Sequence, residues 1–302
     1  ANPIAGGKVT GKLGRAGVAL LSAVDDAPGD NALFNIARLR GDYGGNSVLG
    51  LTVTDRRQGD GSNSVVALDN RLVFRDVYYL ETQLGQSFTS AGAGVQSAPV
   101  WKAELDRTGR IWGFNYSAYG FGDRFETSAG FVPRVGFQNA HAFNRFAWLG
   151  NPTSLIQNFT TFFGPTRLWR YGSIARSAAL EGDDQLAGFI TLRDGWSLNP
   201  SLNRKFFVID QSVASGLQVS SIEGALVPWD PSTRLDNLWA TSLGVTTPVF
   251  GRFNASASVS RSAVPIFVEG IEGRQLRVSG SLLLRPSRSE EHTSELQSLA
   301  YL

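Results

Sequence analysis

The sequence predicts an all-β protein: a transmembrane antiparallel β-barrel of about 16 strands, within a range of roughly 14 to 18. Three observations lead there. Apolar and polar residues alternate with period two in segment after segment. Many of these segments run about 9 to 12 residues, beyond the five or six usual in globular sheets and close to what a tilted spanning strand needs. The composition lies between a disordered chain and a helical membrane protein. Mean hydropathy is -0.09, and charged residues make up 18% of the 302 positions, below the roughly 25% of an average soluble domain. A barrel suits that middle ground because only every second residue faces lipid.

The alternation is read from particular runs. Leu80, Thr82 and Leu84 share one face, with Glu81, Gln83 and Gly85 on the other. Trp101, Ala103 and Leu105 oppose Lys102, Glu104 and Asp106. Trp112, Phe114, Tyr116 and Ala118 oppose Gly113, Asn115 and Ser117. Residues 253–259 repeat the pattern with smaller side chains, and 275–284 set Leu276, Val278, Leu282 and Leu284 against Gln275, Arg277, Ser279 and Ser281. Turn signals such as Gly59-Asp60-Gly61-Ser62-Asn63, Arg107-Thr108-Gly109-Arg110, Glu181-Gly182-Asp183-Asp184 and Phe250-Gly251-Arg252 separate the runs. The expected strands lie near 6–13, 16–24, 34–42, 47–56, 64–75, 77–88, 99–107, 110–120, 124–131, 137–148, 155–164, 168–180, 184–193, 204–212, 217–227, 236–247, 252–261 and 274–285.

Aromatic residues gather near strand ends, among them Tyr78, Tyr79, Phe88, Tyr119, Phe121, Trp169, Tyr171, Phe206, Phe207 and Trp229. In a barrel they would form two interface girdles. Residues 139–176 are less regular. Eight aromatic rings crowd them and Gly150-Asn151-Pro152-Thr153 interrupts them, which fits two strands and a turn or a loop folded inward.

Several classes are excluded. With no cysteine, the chain has no disulfide framework, thiolate nucleophile or Cys-based metal site. The net charge is +2 and the pI about 9.0, but no Lys/Arg stripe marks a nucleic-acid surface. The apolar runs at 17–21 and 282–284 are far shorter than the roughly 20 residues of a spanning helix. Ala1-Asn2-Pro3 lacks a Met and a basic leader segment. An exported protein has such a leader, so the sequence reads as a fragment.

No constellation for chemistry emerges, and no cofactor or metal is expected. His141, between Ala140 and Ala142, is the one histidine before the final stretch; alone, it is better explained as structural than as a base. Oxygen-rich turns at 181–184 and 55–60 offer carboxylates for calcium without the spacing of a calcium loop. The glycines of 41–45 and 92–94 do not lead from a strand into a helix, so they fail as phosphate loops. There is no G-x-S-x-G elbow. The polar strand faces are the one functional surface, with Arg71, Glu81, Gln83, Lys102, Glu104, Asp106, Asn115 and Arg277 as expected lumen-lining residues.

Residues 289–302 abandon the alternation and become acidic and helix-tolerant. Their run Glu290-Glu291-His292-Thr293-Ser294-Glu295-Leu296-Gln297-Ser298-Leu299-Ala300-Tyr301-Leu302 resembles translated sequencing-adapter DNA. The expected division is therefore a barrel over 1–287 and a non-native-looking tail over 288–302. Elsewhere, Gly6-Gly7-Lys8-Val9-Thr10-Gly11-Lys12, Val53-Thr54-Asp55-Arg56 and residues 130–137 resemble the C-terminal DUF5916 region of bacterial proteins, which a carbohydrate-binding-family-9-like domain precedes. The resemblance implies an outer-membrane barrel and an N-terminal domain upstream of Ala1. It brings no catalytic set.

The expected function is a porin-like pore or transport role for polar solutes or saccharides in the bacterial outer membrane. Its partners would be outer-membrane lipid and the barrel-assembly machinery, with no nucleic acid. One alternative is a membrane anchor for an N-terminal carbohydrate-binding or enzymatic domain. The other is a soluble β-sandwich binding module.

Overall fold

The computed structural model describes residues 3–92, 94–174, 176–209, 216–221, 224–230, 234–267, 269–287 and 290–294. Its elements are β1 (Pro3–Leu13), β2 (Ala16–Asp25), β3 (Ala32–Tyr43), β4 (Ser47–Gln58), β5 (Gly61–Phe74), β6 (Tyr78–Ala91), β7 (Val95–Arg107), β8 (Trp112–Phe121) and β9 (Phe137–Leu149). There follow β10 (Ile156–Arg170), β11 (Glu181–Leu192), β12 (Ser197–Val208), β13 (Gln218–Ser220), β14 (Leu226–Pro228), β15 (Arg234–Thr246), β16 (Phe253–Ile266), β17 (Ile271–Ser287) and β18 (Glu290–Ser294). A 3-10 turn, Arg193–Gly195, joins β11 to β12.

Sixteen strands form one antiparallel sheet whose hydrogen-bonded order follows the chain from β1 to β12 and then β15 to β18; β13 and β14 pair apart as a small hairpin. Among the described residues no ladder joins β1 to β17 or β18. The sheet is open, and the expectation of a closed transmembrane barrel is overturned. With it fall the outer-membrane location, the lipid and assembly-machinery partners, and the porin-like and anchor roles. The physical reason lies in what alternation encodes. Period two assigns side chains to faces; it does not say whether the first strand meets the last. Here β1 is an edge, exposed at all eleven residues. It has the Pro3, Lys8 and Lys12 with which edge strands resist further pairing. At the other end, β17 gives part of its outer edge to β18, pairing Leu282 with Ser294 and Leu284 with His292. No helix among the described residues is long and apolar enough to cross a membrane.

Several expected strands differ. Residues 124–131 lie in the connection between β8 and β9, and 168–180 hold only the end of β10 and a turn. The expected strand 204–212 begins inside β12, which ends at Val208, and its residues 210–212 lie outside the described residues; 217–227 hold parts of the separate hairpin. The β4–β5 turn is also tighter than Gly59 to Asn63: Ser62 and Asn63 already belong to β5 and pair with Arg57 and Arg56. Between β5 and β6 the chain turns through the three residues Arg75, Asp76 and Val77, the first two with positive φ (48° and 62°).

The chain divides into two compact units, Ala1–Gly109 with Phe114–His141 and Leu168–Ala178, and Arg110–Gly113 with Ala142–Arg167 and Ala179–Leu302. In the first, the register aligns Val18, Leu39, Leu51, Leu68, Leu84 and Trp101 in one apolar row across β2 to β7. Leu39, Leu68 and Leu84 are half or more exposed, so this face is not a packed core. The buried apolar side chains of the unit are few, among them Ala32, Ala67, Ala98, Phe125 and Phe137.

Two of the rings expected in interface girdles, Tyr119 and Phe121, serve a local cluster instead. Tyr119 and Phe121 stand on the polar face, opposite Lys102 and Val100. They pack with Phe137 and Phe125 at ring separations of 5.4 to 5.8 Å. Hydrophobic burial under the β8–β9 connection fixes these rings. That connection is pinned by Asn63, which accepts from the Ser128 amide at 2.7 Å and donates to the Glu126 carbonyl at 3.1 Å.

In the second unit, β12, β15, β16 and β17 carry a serine-rich face. Ser201 meets Ser242, Ser256 meets Ser281 and Ser258 meets Ser279, each at 2.7 to 2.8 Å.

A charged groove on the polar face

The candidate site lies within the first unit and follows from strand register. Residues directly opposite in neighbouring strands share a face. Arg40 on β3, Gly50 on β4, Asp69 on β5, Gln83 on β6 and Lys102 on β7 form one row across the sheet. Arg71, Glu81 and Glu104 form the next, and Tyr79, Asp106 and Asn115 extend the same face. Alternation places every one of these side chains opposite the apolar row.

Ion pairs lock the arrangement. The Arg38 guanidinium reaches across β4 to Asp69 as a bidentate fork, with Nη2 donating to Oδ2 at 2.8 Å and Nη1 to Oδ1 and to Thr52 Oγ1. Lys102 Nζ lies 2.6 Å from Glu104 and 3.4 Å from Glu81. Asn115 Nδ2 donates to Glu104 at 2.7 Å and to Asp106 at 3.2 Å. Asp42 is shared between Lys12 at 3.1 Å and Arg40 Nε at 3.2 Å.

These contacts set the charge states. The hydrogen bond to Asp69 raises the Arg38 pKa against the opposing effect of burial. The hydrogen bond to Glu104 likewise raises Lys102, with the charges of Glu104 and Glu81 assisting. Burial acts to raise Glu104, but hydrogen bonds from Lys102 and Asn115 outweigh it and hold the carboxyl below its ordinary value. Tyr79 is pushed up to about 12 by burial and then by Asp106. Lys12 holds Asp42 below the usual carboxylate range.

Between the pairs lies a groove of about 440 Å³, lined by Arg38, Arg40, Asp69, Arg71, Glu81 and Lys102 among others. Each of the four cations stands beside a carboxylate: Arg38 beside Asp69, Arg40 beside Asp42, Arg71 beside Glu81, and Lys102 beside Glu104 and Glu81. Arg40 and Arg71 are the least engaged. Arg71 is 53% exposed, stands 3.6 Å from Glu81 through Nε, and makes no hydrogen bond among the described residues. Arg40 is 57% exposed and is held only through Nε. Tyr79 supports Arg71 from below, its ring 4.9 Å from the guanidinium carbon.

Seven of the eight residues expected to line a lumen therefore share this face: Arg71, Glu81, Gln83, Lys102, Glu104, Asp106 and Asn115. With the sheet open, the surface is a sheet face and not a lumen wall. Arg277 is elsewhere, on β17 in the second unit opposite Ser260. Sequence reasoning missed Arg38, Arg40, Gly50 and Asp69. The signal was present in Ala37-Arg38-Leu39-Arg40, where two arginines alternate with apolar residues.

The other candidates are placed differently. Asp183 and Asp184 are successive residues of β11, so they point to opposite faces. Each has a cation: Lys205 at 3.3 Å and Arg167 at 2.5 Å. Asp55 sits within β4 and accepts from Ser64 at 2.6 Å and Arg57 at 3.0 Å. Among the described residues no three His, Cys, Asp or Glu side chains are grouped to hold a metal. His141 stands on β9, its pKa lowered by burial and partly restored by the charge of Glu104.

No family model matches the chain, and no curated protein matches it. The chain is similar to the crystal structure of BauA, the ferric preacinetobactin receptor from Acinetobacter baumannii, at 12% identity and a TM-score of 0.39. The match covers 97% of this chain and 61% of the receptor chain, so this chain spans less than two thirds of that protein. A likeness of this size transfers neither fold nor function.

Proposed function

We propose that the chain is a binding module whose open sheet presents a site for a small anion on the polar face of its first unit. One observation carries this reading: Arg40 and Arg71 line the groove with guanidiniums more than half exposed, whose ion pairs to Asp42 and Glu81 run through Nε and leave the terminal nitrogens to face the groove. A paired frame supplies rigidity, and two underused forks supply affinity. Charge-assisted hydrogen bonds contribute about 1.5–3 kcal/mol each. Two such contacts on a half-exposed surface correspond to a dissociation constant of about 1 mM.

The frame also explains why the cations point where they do. Arg38 and Lys102 are occupied by carboxylates, so the frame holds no desolvated, uncompensated charge. An acetate titration at low ionic strength, followed through the arginine Nε–H resonances, tests the reading. Saturable shifts confined to Arg40 and Arg71 are expected, weakening with added salt. Equal, non-saturating shifts over all arginines would overturn it.

A further inference from the structure

We infer that the apolar face of the first unit is an interface on which a second copy of this chain packs, face to face, to form a two-layer dimer. The register defines that face. Beside the apolar row that crosses β2 to β7 runs a second row, beginning Leu20, Ala37, Val53 and Val66. On its other side a third row includes Leu49, Thr82 and Ala103, and Leu72, Leu80 and Leu105 add a fourth over β5 to β7. From β2 to β7 these rows contain no Asp, Glu, Lys or Arg. At their centre Leu68 is 53% and Leu84 65% exposed, and Val18, Leu20, Leu39, Leu49 and Val66 are exposed with them.

A sheet with one apolar face is stable when another layer covers that face. Among the described residues of this unit, no helix and no second sheet supplies one. Strands about 4.8 Å apart and rows about 6.8 Å apart give the charge-free band an area of about 700 Å² per copy. That exceeds the largest apolar patch of a typical monomer, about 300–600 Å². A face-to-face pair covers about 1,400 Å², inside the range of about 1,200–2,000 Å² found for stable protein interfaces.

Two features commit the face to a second copy. The border beyond Val53 is matched internally: Arg57 and Asp55, on this face of β4, pair at 3.0 Å, and Ser64 donates to the same carboxylate at 2.6 Å. That rim therefore carries no net charge with which to select an oppositely charged partner. The missing layer is also part of what folding requires. It has to be present whenever the chain folds, and another copy meets that condition at equal concentration. The contact is isologous, each copy using the same patch about a twofold axis. The two sheets lie about 10 Å apart with strand directions within about 30° of each other. Stacking by faces leaves the edge of β1 free and turns the charged groove outward in both copies.

The test is sedimentation velocity of the full chain from about 0.1 to about 100 μM, where a dimer dissociating in the micromolar range is expected. Leu68→Lys and Leu84→Lys should each weaken association at least about hundredfold, because each sets like charges against one another across the contact. Thr10→Lys, on the opposite face in the row of Ala19 and Arg38, should leave association unchanged. Unchanged far-ultraviolet circular dichroism establishes that the variants are folded. A thiol probe avoids the introduced charge altogether, since the chain has no cysteine of its own. The thiol of Leu84→Cys should react slowly with Ellman's reagent in the dimer and faster on dilution, while that of Thr10→Cys reacts fast throughout. A monomer at every concentration, or association indifferent to both lysine substitutions, overturns the inference. So does a Leu84→Cys thiol as reactive in concentrated protein as that of Thr10→Cys. Uptake of a monomer by phosphatidylcholine vesicles, abolished by the same lysines, would assign the face to lipid and overturn it as well.

Discussion

The Arg38 guanidinium passes directly over Gly50 on its way to Asp69: a Cβ at position 50 would stand 2.5 Å from Nη2 and 2.6 Å from Asp69 Oδ2. Glycine is required here for clearance, since the position has no positive φ. Gly50→Ala must therefore displace the fork. Both side chains are about one-third exposed, so solvent screens part of the loss. A decrease of about 1–2 kcal/mol in unfolding free energy is expected. Urea denaturation of Gly50→Ala beside Asp69→Asn checks it, and the double variant should cost little more than either single one.

A second glycine serves a ring. Phe206 lies flat on its cross-strand partner Gly182 and carries the guanidiniums of Arg234 at 4.7 Å and Arg167 at 5.5 Å. Gly182→Ala would push the ring out and separate it from both cations, whose stacking is worth about 0.5–1 kcal/mol each at exposed sites. A loss of about 1–2 kcal/mol is expected, and Phe206→Leu should cost a similar amount. Thermal unfolding of the two variants tests this. A Gly182→Ala protein as stable as the parent would contradict the ring placement.

The loop between β8 and β9 depends on one amide. Asn63 is 4% exposed and bonds to the Ser128 amide, the Glu126 carbonyl and Thr89. Asn63→Ala leaves buried backbone groups unpaired, at about 1–3 kcal/mol. Hydrogen exchange at the Ser128 amide should accelerate in that variant while the β6–β7 ladder stays protected.

Two titrations give the stability a stepped acid dependence. Burial holds His141 below its ordinary 6.5, so the unfolded chain takes up a proton first and stability falls as pH drops below about 6.5. Glu104 is held below its ordinary 4.5, and its contribution is lost as pH falls further through the lowered value. His141→Asn should remove the upper step and Glu104→Gln the lower. Unfolding free energies measured from pH 8 to about pH 2 separate the two, and a parent curve flat between pH 7 and pH 5 would exclude the His141 step.

Which features could be read from the sequence follows from the physics of each. The faces were legible because a pleated strand places alternate residues on opposite sides. Lys102, Glu104 and Asp106 were assigned together, and the register sets them beside Glu81 and Asn115. The Arg38–Asp69 pair was not legible, because it joins strands that are not neighbours and depends on the small size of an intervening glycine. The β8–β9 connection was misread as a strand because Phe125, Phe131 and nearby turn residues mimic alternation, while Asn63 holds it from 65 residues away in sequence. Closure was misjudged for a related reason. Alternation constrains each strand separately, whereas closure depends on complementarity between the first and last. The residues at 290–294, which break the rhythm, pair beside β17.

The openness of the sheet underlies the whole account, and hydrogen exchange along β1 tests it most directly. In an edge strand only alternate amides bond to the neighbouring strand, and β1 has β2 alone as its partner. Between Ile4 and Leu13, amides directed at β2 should be protected and those directed away should exchange at nearly the rate of an unstructured peptide. Strong protection of both sets in the monomeric protein would mean that another strand closes onto β1, and the open-sheet account would be wrong.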